Sequence, residues 1–153
     1  MSIEARLAEL GITLPEPAAP LAAYVPVVVH GGLAHVSGQL PSIGGQLVTG
    51  RLGVDISVDD AASAARACGL MILAQLKARI GSLDNVVQVV KLCGFVNSSF
   101  DFTEQPKVVN GASQLMVDVF GDAGKHARSA VGVANLPMGV AVEVDAIFAV
   151  NGG

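Results

Sequence analysis

The chain has 153 residues, of which 52% are hydrophobic and only 14% charged, with a formal net charge of −4. This length suits one domain with its own core, and an acidic chain with no Trp, one Tyr and five Phe lacks the basic stripe and stacking platforms of a nucleic-acid surface. Gly and polar residues break every apolar run before it can span a bilayer, so the hydrophobic excess points to apolar surface hidden between subunits.

MSIEARLAELG predicts a short amphipathic helix over residues 3 to 10, ended by Gly11. It lacks the basic start and apolar centre of a signal peptide, so a cytoplasmic location is expected. TLPEPAAPLAAY carries three prolines and reads as an extended arm leading to Tyr24. Residues 1–20 are thus a helix and Pro-rich arm within a single domain covering 1–153.

VPVVVH (25–30) and LAHVSGQLP (33–41) flank a Gly-Gly turn and predict a hairpin. A glycine-rich loop follows, with room for a short strand at 46–48. Ser57, with Asp60 three residues on, opens a helix in the manner of a capping box. Ala61, Ala65, Cys68, Ile72, Leu76 and Ile80 then recur at helical spacing, and Gly81 stops the helix. The many alanines let it lie close to a sheet. A strand is expected from 86 to 97. A second helix follows, capped by Asp101 or Thr103, with Pro106 near its start and Gly111 as a weak point. KHARSAVGVANLPMGVAVEVDAIFAV (125–150) reads as a closing hairpin.

The expected architecture is α+β: one sheet with two helices packed on one face. The other face is left open, which favours assembly through the sheets.

The closing hairpin carries unexpected charges. If its turn centres on Pro137 and Met138, Glu143 pairs with Gly132, Asp145 with Ala130 and Ile147 with Arg128. Arg128, Ala130, Gly132, Glu143 and Asp145 then share one face, opposite an apolar face of Val131, Val142, Val144 and Phe148. Arg128 and Glu143 lie roughly 13 Å apart on this register, too far for an ion pair. A cation and a carboxylate flanking small residues can form the floor of a site for a small anion, Arg gripping a carboxylate and Glu activating water. The same charges also fit a solvated sheet edge.

Ser37 and Gly38, in SGQLP directly after a strand, offer a hydroxyl and backbone donors, or an ordinary strand end. His30, His35 and His126 are scattered, with no third ligand at a metal spacing, so no metal site is expected. Cys68 and Cys93 lie far apart without a CxxC and read as two buried thiols. No phosphate-binding glycine motif is present.

ARSAVGVANLPMGVAVEVDAIFAV resembles the C-terminal signature of the Rid family, the YjgF-like reactive-intermediate deaminases: an Arg-Ser pair, a Leu-Pro turn, then a Val-Glu-x-Glu/Asp strand. Tyr24, Ser37-Gly38-Gln39 and VVKLCGFVNSSFDF fit as well, so the resemblance runs from about Leu21 to Val150. It implies a chorismate-mutase-like α+β fold and a homotrimer with a central barrel and ligand clefts between subunits. It further implies hydrolysis of enamines and imines such as 2-aminoacrylate to 2-keto acids and ammonia, with no cofactor. By the same resemblance Arg128 binds the substrate carboxylate and Glu143 positions water, with Tyr24, Ser37, Gly38, Phe100 and Ala130 lining the cleft. The chain is similar to a longer branch that departs from the short deaminases at Ala130, Gly132 and Phe100. The alternatives are a non-catalytic binding protein for small carboxylates and, on the activity attached to several members, an endoribonuclease or translation inhibitor. No membrane partner is expected, and the acidic charge speaks against nucleic acid.

Overall fold

The structure is a computed structural model that describes residues 1–17, 19 and 23–152. Part of the expected arm, at 18 and 20–22, lies outside the described residues, as does Gly153.

Helix α1 (Ile3–Glu9) begins at Ser2, whose hydroxyl accepts from the Ala5 N–H. Its buried Leu7 joins the core, and Arg6 Nε donates to Asp118 O at 2.8 Å. The chain then forms β1 (Val27–His30), β2 (Leu33–Gln39) and a two-residue-per-strand hairpin of β3 (Ser42–Ile43) and β4 (Gln46–Leu47). Helix α2 (Val58–Ile80), strand β5 (Val86–Asn97), helix α3 (Gln105–Phe120) and strands β6 (Ala127–Val133) and β7 (Val142–Val150) complete it. No helix among the described residues is long and apolar enough to cross a membrane.

Five strands form one sheet in the order β1-β2-β7-β5-β6. The helices cover one face. Strand β7 alternates strictly: Val142, Val144, Ala146, Phe148 and Val150 are buried against the helices, while Glu143, Asp145, Ile147 and Ala149 turn to the open face. The expected cap at Ser57 is formed, its Oγ accepting from the Asp60 N–H at 3.1 Å. Ala61, Ala64, Ala65 and Cys68 of α2 are fully buried, so the alanines do bring this helix onto its neighbours.

The closing hairpin is not formed. Strands β6 and β7 do not touch: β5 lies between them, parallel to β6 and antiparallel to β7. Segment β5-α3-β6 is a βαβ crossover. The segment from Ala134 to Ala141 is a bridge and not a tight turn: Gly139 O accepts from the Gly50 N–H at 3.1 Å, and Ala141 N–H donates to Val48 O at 3.0 Å. The most apolar strand takes the centre, where both edges and the inner face are covered. Strand β6, exposed along much of its length, takes the edge.

Two expectations about α3 also change. Its N-cap is Glu104 with no side-chain cap bond: the helix starts at Gln105, past both expected caps, Asp101 and Thr103, and Asp101 accepts from Ser99 Oγ at 2.8 Å. Gly111 is not a weakness but a contact. A Cβ there would meet the backbone of Ala62 on α2, 2.8 Å from its carbonyl carbon.

Helix propensity alone favours Gly111→Ala by about 1 kcal/mol. Overpacking against backbone costs about 1–3 kcal/mol or more. We expect Gly111→Ala to lower the thermal midpoint, read by circular dichroism. A rise would show that α2 and α3 can separate freely.

Candidate functional site

Residues paired across neighbouring strands share a face. Arg128 pairs with Leu92, and Leu92 pairs with Ala146, so Arg128 lies on the helix face of edge strand β6. There it reaches α3. Its Nη1 donates to Asn110 Oδ1 at 2.7 Å and to Ser113 Oγ at 3.2 Å. Ser113 Oγ is also 2.8 Å from His126 Nε2, and His126 Nδ1 is 2.6 Å from Gly124 O. A carbonyl only accepts, so Nδ1 carries the proton. In the neutral ring Nε2 then accepts from the Ser113 hydroxyl, whose lone pairs remain for Arg128. The guanidinium is thus held by neutral groups, and among the described residues no carboxylate forms an ion pair with it.

Glu143 lies on the opposite face. It pairs with Phe95, and Asp145 pairs with Cys93. The shared face expected for Arg128, Glu143 and Asp145 is therefore corrected. That reading assumed β6 and β7 to be neighbours, and the insertion of β5 reverses the relation. Arg128 and Glu143 are two strand spacings and three residue steps apart, roughly 14 Å between Cα atoms, and point away from each other. One copy of the chain cannot bring both to one small molecule.

Ser37 and Gly38 form a bulge in β2: three steps from Val36 to Gln39 face two steps from Ala146 to Val144. The bulge seats Glu143. A Cβ at Gly38 would overlap the Glu143 carboxylate in its present position, lying 2.9 Å from its Cδ, so a larger residue there would displace that side chain. Ser37 Oγ donates to Val25 O at 3.1 Å, and Ser37 N–H donates to Pro26 O at 2.8 Å. These bonds hold the segment after the exposed Tyr24 beside the bulge. The structure therefore gathers Ser37, Gly38 and Glu143 on one side, and Tyr24 adjoins Val25, whose carbonyl Ser37 bonds. Arg128 and Ala130 stand on the other, Ala130 packed against the core. Phe100 is fully exposed beyond the end of β5.

Burial pushes the Glu143 carboxyl above the usual carboxylate range, and the Asp145 charge adds to it. Burial also raises Asp145, opposed by a hydrogen bond from the Cys93 thiol and by the Lys91 charge. Burial and the neighbouring Asp145 raise Cys93 in turn. His35, Ser37, Lys91, Cys93 and Asp145 line an open-face cleft of about 400 Å³. Both cysteines are free, Cys68 fully buried and Cys93 only partly. Among the described residues no group of three or more His, Cys, Asp or Glu side chains could hold a metal ion.

Sequence spacing did not single out Asn110, Ser113 or the Cys93–Asp145 pair, and it left His126 without a role. The available signal was Asn110 and Ser113 at one-turn spacing on a helix, but their target, Arg128, is visible only once β6 lies under α3.

A mixed sheet with helices packed on one face, here with an arginine on its edge strand and half-buried carboxylates on its open face, matches the α+β chorismate-mutase-like fold. Residues 4–149 match the family described as "YjgF/chorismate_mutase-like, putative endoribonuclease", and the chain belongs to that Rid/YjgF-like family. It is 53% identical over 152 residues to Protein TCP17 of Trypanosoma cruzi, covering 97% of this chain and 94% of that one. A crystal structure of a protein of unknown function from Agrobacterium tumefaciens is 49% identical, covers 97% of this chain and 92% of its own, and superposes with a TM-score of 0.90. Another, called a putative endoribonuclease, from Shewanella oneidensis MR-1, is 34% identical, covers 98% and 100%, and has a TM-score of 0.93.

Glu143 and Asp145 both bind their protons more tightly folded than unfolded. Such groups lower stability as pH rises from the ordinary carboxylate range through their raised values. Asp145→Asn removes one of them and relieves the other. We expect its thermal midpoint to fall less than that of wild type as pH rises from about 4 to about 8. Identical pH profiles would contradict the buried-carboxylate description.

Proposed function

We propose that this chain hydrolyses imine and enamine intermediates of the 2-aminoacrylate type to 2-keto acids and ammonia. The observation that carries the reading is Arg128, a guanidinium held in place by Asn110 and Ser113 with its charge unneutralised. A ligand carboxylate satisfies that charge in a two-pronged grip. Glu143 supports the second half of the reading. A carboxyl raised toward the working pH is a stronger base when ionised, and a larger share of it is protonated and able to give a proton back.

Because the two groups face opposite sides of the sheet, the cleft is completed by a second copy of the chain, one copy contributing Arg128 and its neighbour Glu143. Tyr24, Ser37 and Gly38 line the Glu143 side. A homotrimer that sets the β6 edge of one copy against the open sheet face of the next satisfies both this need and the exposed Val28 and Val131 on that face.

The imine carbon is already electrophilic, so most of the work is orientation. Arg128 fixes the carboxylate. Ionised Glu143 takes a proton from water as the oxygen bonds to the carbon and the C=N electron pair moves to nitrogen. Glu143 returns that proton to the nitrogen, giving the neutral tetrahedral carbinolamine. It then carries the hydroxyl proton to the amine as the C–N bond breaks, the oxygen's electron pair forms the keto group and ammonia leaves, with Glu143 ionised again.

The test is release of keto acid and ammonia from imino acids generated in situ by an amino-acid oxidase, measured against spontaneous hydrolysis. We expect acceleration by wild type, its loss in Arg128→Ala, and a fall of about 10²-fold or more in Glu143→Gln. Undiminished acceleration in Arg128→Ala removes the reading. Arg128-dependent binding of 2-keto acids without turnover would instead make this a binding protein for small carboxylates, the direction in which Ala130, Gly132 and Phe100 depart from the deaminase pattern. Salt-sensitive cleavage of RNA would move the assignment to the nuclease activity that the family description mentions.

A further inference from the structure

A second arginine stands at the other end of β6. Arg51 lies in the loop between β4 and α2, and its guanidinium donates to Ala134 O at 2.8 Å and, at the long distance of 3.5 Å, to Ser98 O. Both acceptors are neutral carbonyls. The nearby Asp55 accepts from the Arg51 main-chain N–H at 2.6 Å, and no carboxylate among the described residues forms an ion pair with the guanidinium. Most of its five N–H groups and its whole charge are left for something else.

What they border is a cleft of about 480 Å³ that Arg51 lines with Ser98, Ser99, Phe100, Phe102, Gln105 and Gly132. That volume lies in the range of small-molecule sites. Gln105 Nε2 donates to Phe102 O at 2.8 Å, but its contact with Ser98 Oγ is 3.4 Å, and Ser98 Oγ reaches Val96 O only at 3.4 Å. These long contacts leave an amide donor and a hydroxyl weakly used. Asp101, the neighbouring acid, accepts from Ser99 Oγ at 2.8 Å and does not line the cleft. Phe100 offers an exposed ring at the mouth. Gly132 keeps the space open: a Cβ there would lie 2.6 Å from Ser98 Oγ and 2.8 Å from Gln105 Nε2. Its backbone is not in the left-handed region, so φ does not demand a glycine at this position and the requirement is one of room.

We propose that the Arg51 cleft is a second ligand site, for a small carboxylate with an aromatic body. Arg51 takes the carboxylate, the Ser98 hydroxyl and Gln105 amide complete its hydrogen bonds, and the ring of the ligand packs on Phe100 and the guanidinium plane. The site is separate from Arg128. Ala134, where Arg51 is anchored, is six residues along extended chain from Arg128, roughly 20 Å away. The proposal does not rest on the deaminase reading and survives its failure.

The test is a titration of the full ¹⁵N-labelled chain with benzoate, followed by the amide resonances of Ser98, Ser99 and Gly132. We expect saturable shifts there in wild type. Affinity should fall at least tenfold in Arg51→Gln and in Gly132→Val, and stay unchanged in Arg128→Ala. Arg51→Gln also loosens the hold on Ala134, whereas Gly132→Val fills the cleft and leaves Arg51 in place, so the two together separate ligand loss from a disturbed linker. Absence of saturable shifts in wild type overturns the proposal. So does binding that survives both cleft variants, an equal loss in Arg128→Ala, or equal affinity for inorganic phosphate.

Discussion

Helix α3 can lie against both α2 and the sheet because side chains are missing where it touches them. A Cβ at Gly69 would stand 2.9 Å from a Leu115 methyl, one at Gly94 2.6 Å from a Val109 methyl, and one at Gly111 inside the backbone of Ala62. Interiors pack at crystal density, so a methyl group added at any of these points must move the helix or a neighbour. The seat of α3 then places its polar residues. Asn110 and Ser113 come over the edge strand and take hold of Arg128, and Gln105, at the first turn, becomes a wall of the Arg51 cleft. The seat of α3 thus sets the surroundings of both arginines.

The charges divide between the two faces of one sheet. Arg128 sits on the helix side of an edge strand, where half-burial and neutral partners hold it without cancelling it. Glu143 and Asp145 sit on the open side of the central strand, where burial raises the proton affinity of both and the Asp145 charge raises that of Glu143 further. The two groups are thus presented on two different surfaces of the chain, which is the arrangement the proposed cleft between two copies requires. The Ser37–Gly38 bulge belongs to the same arrangement, since it breaks the ladder where the Glu143 side chain needs room.

Much of the local structure was legible in the sequence. Strand β5 runs over the expected 86–97, α2 starts at the expected Ser57 cap and stops at Gly81, and the first hairpin turns at its glycines. These depend on neighbours within a few residues. The cap of α3 was misplaced because both eligible residues, Asp101 and Thr103, fall before the first turn, which starts at Gln105. Gly111 looked like a defect because helix propensity counts only the helix and not what lies beside it. The family resemblance was legible through clustered motifs, and the two residues it singled out, Arg128 and Glu143, were found on opposite faces.

What the sequence determined alone was therefore the set of elements, the alternation that points Glu143 and Asp145 away from the core, and the kinship of the chain. What only the tertiary structure decided was which strands are neighbours. Hydrophobic alternation sets which side chains point the same way within a strand, but it carries no information on which strand lies next to it. The final pair of strands, contiguous in sequence and joined by an apparent turn, is separated by β5 because α3 returns β6 parallel to β5 and leaves the central place to the more apolar β7. That single choice of neighbour moved Arg128 to the other face, gave it Asn110 and Ser113, and brought Arg51 to the end of the same edge.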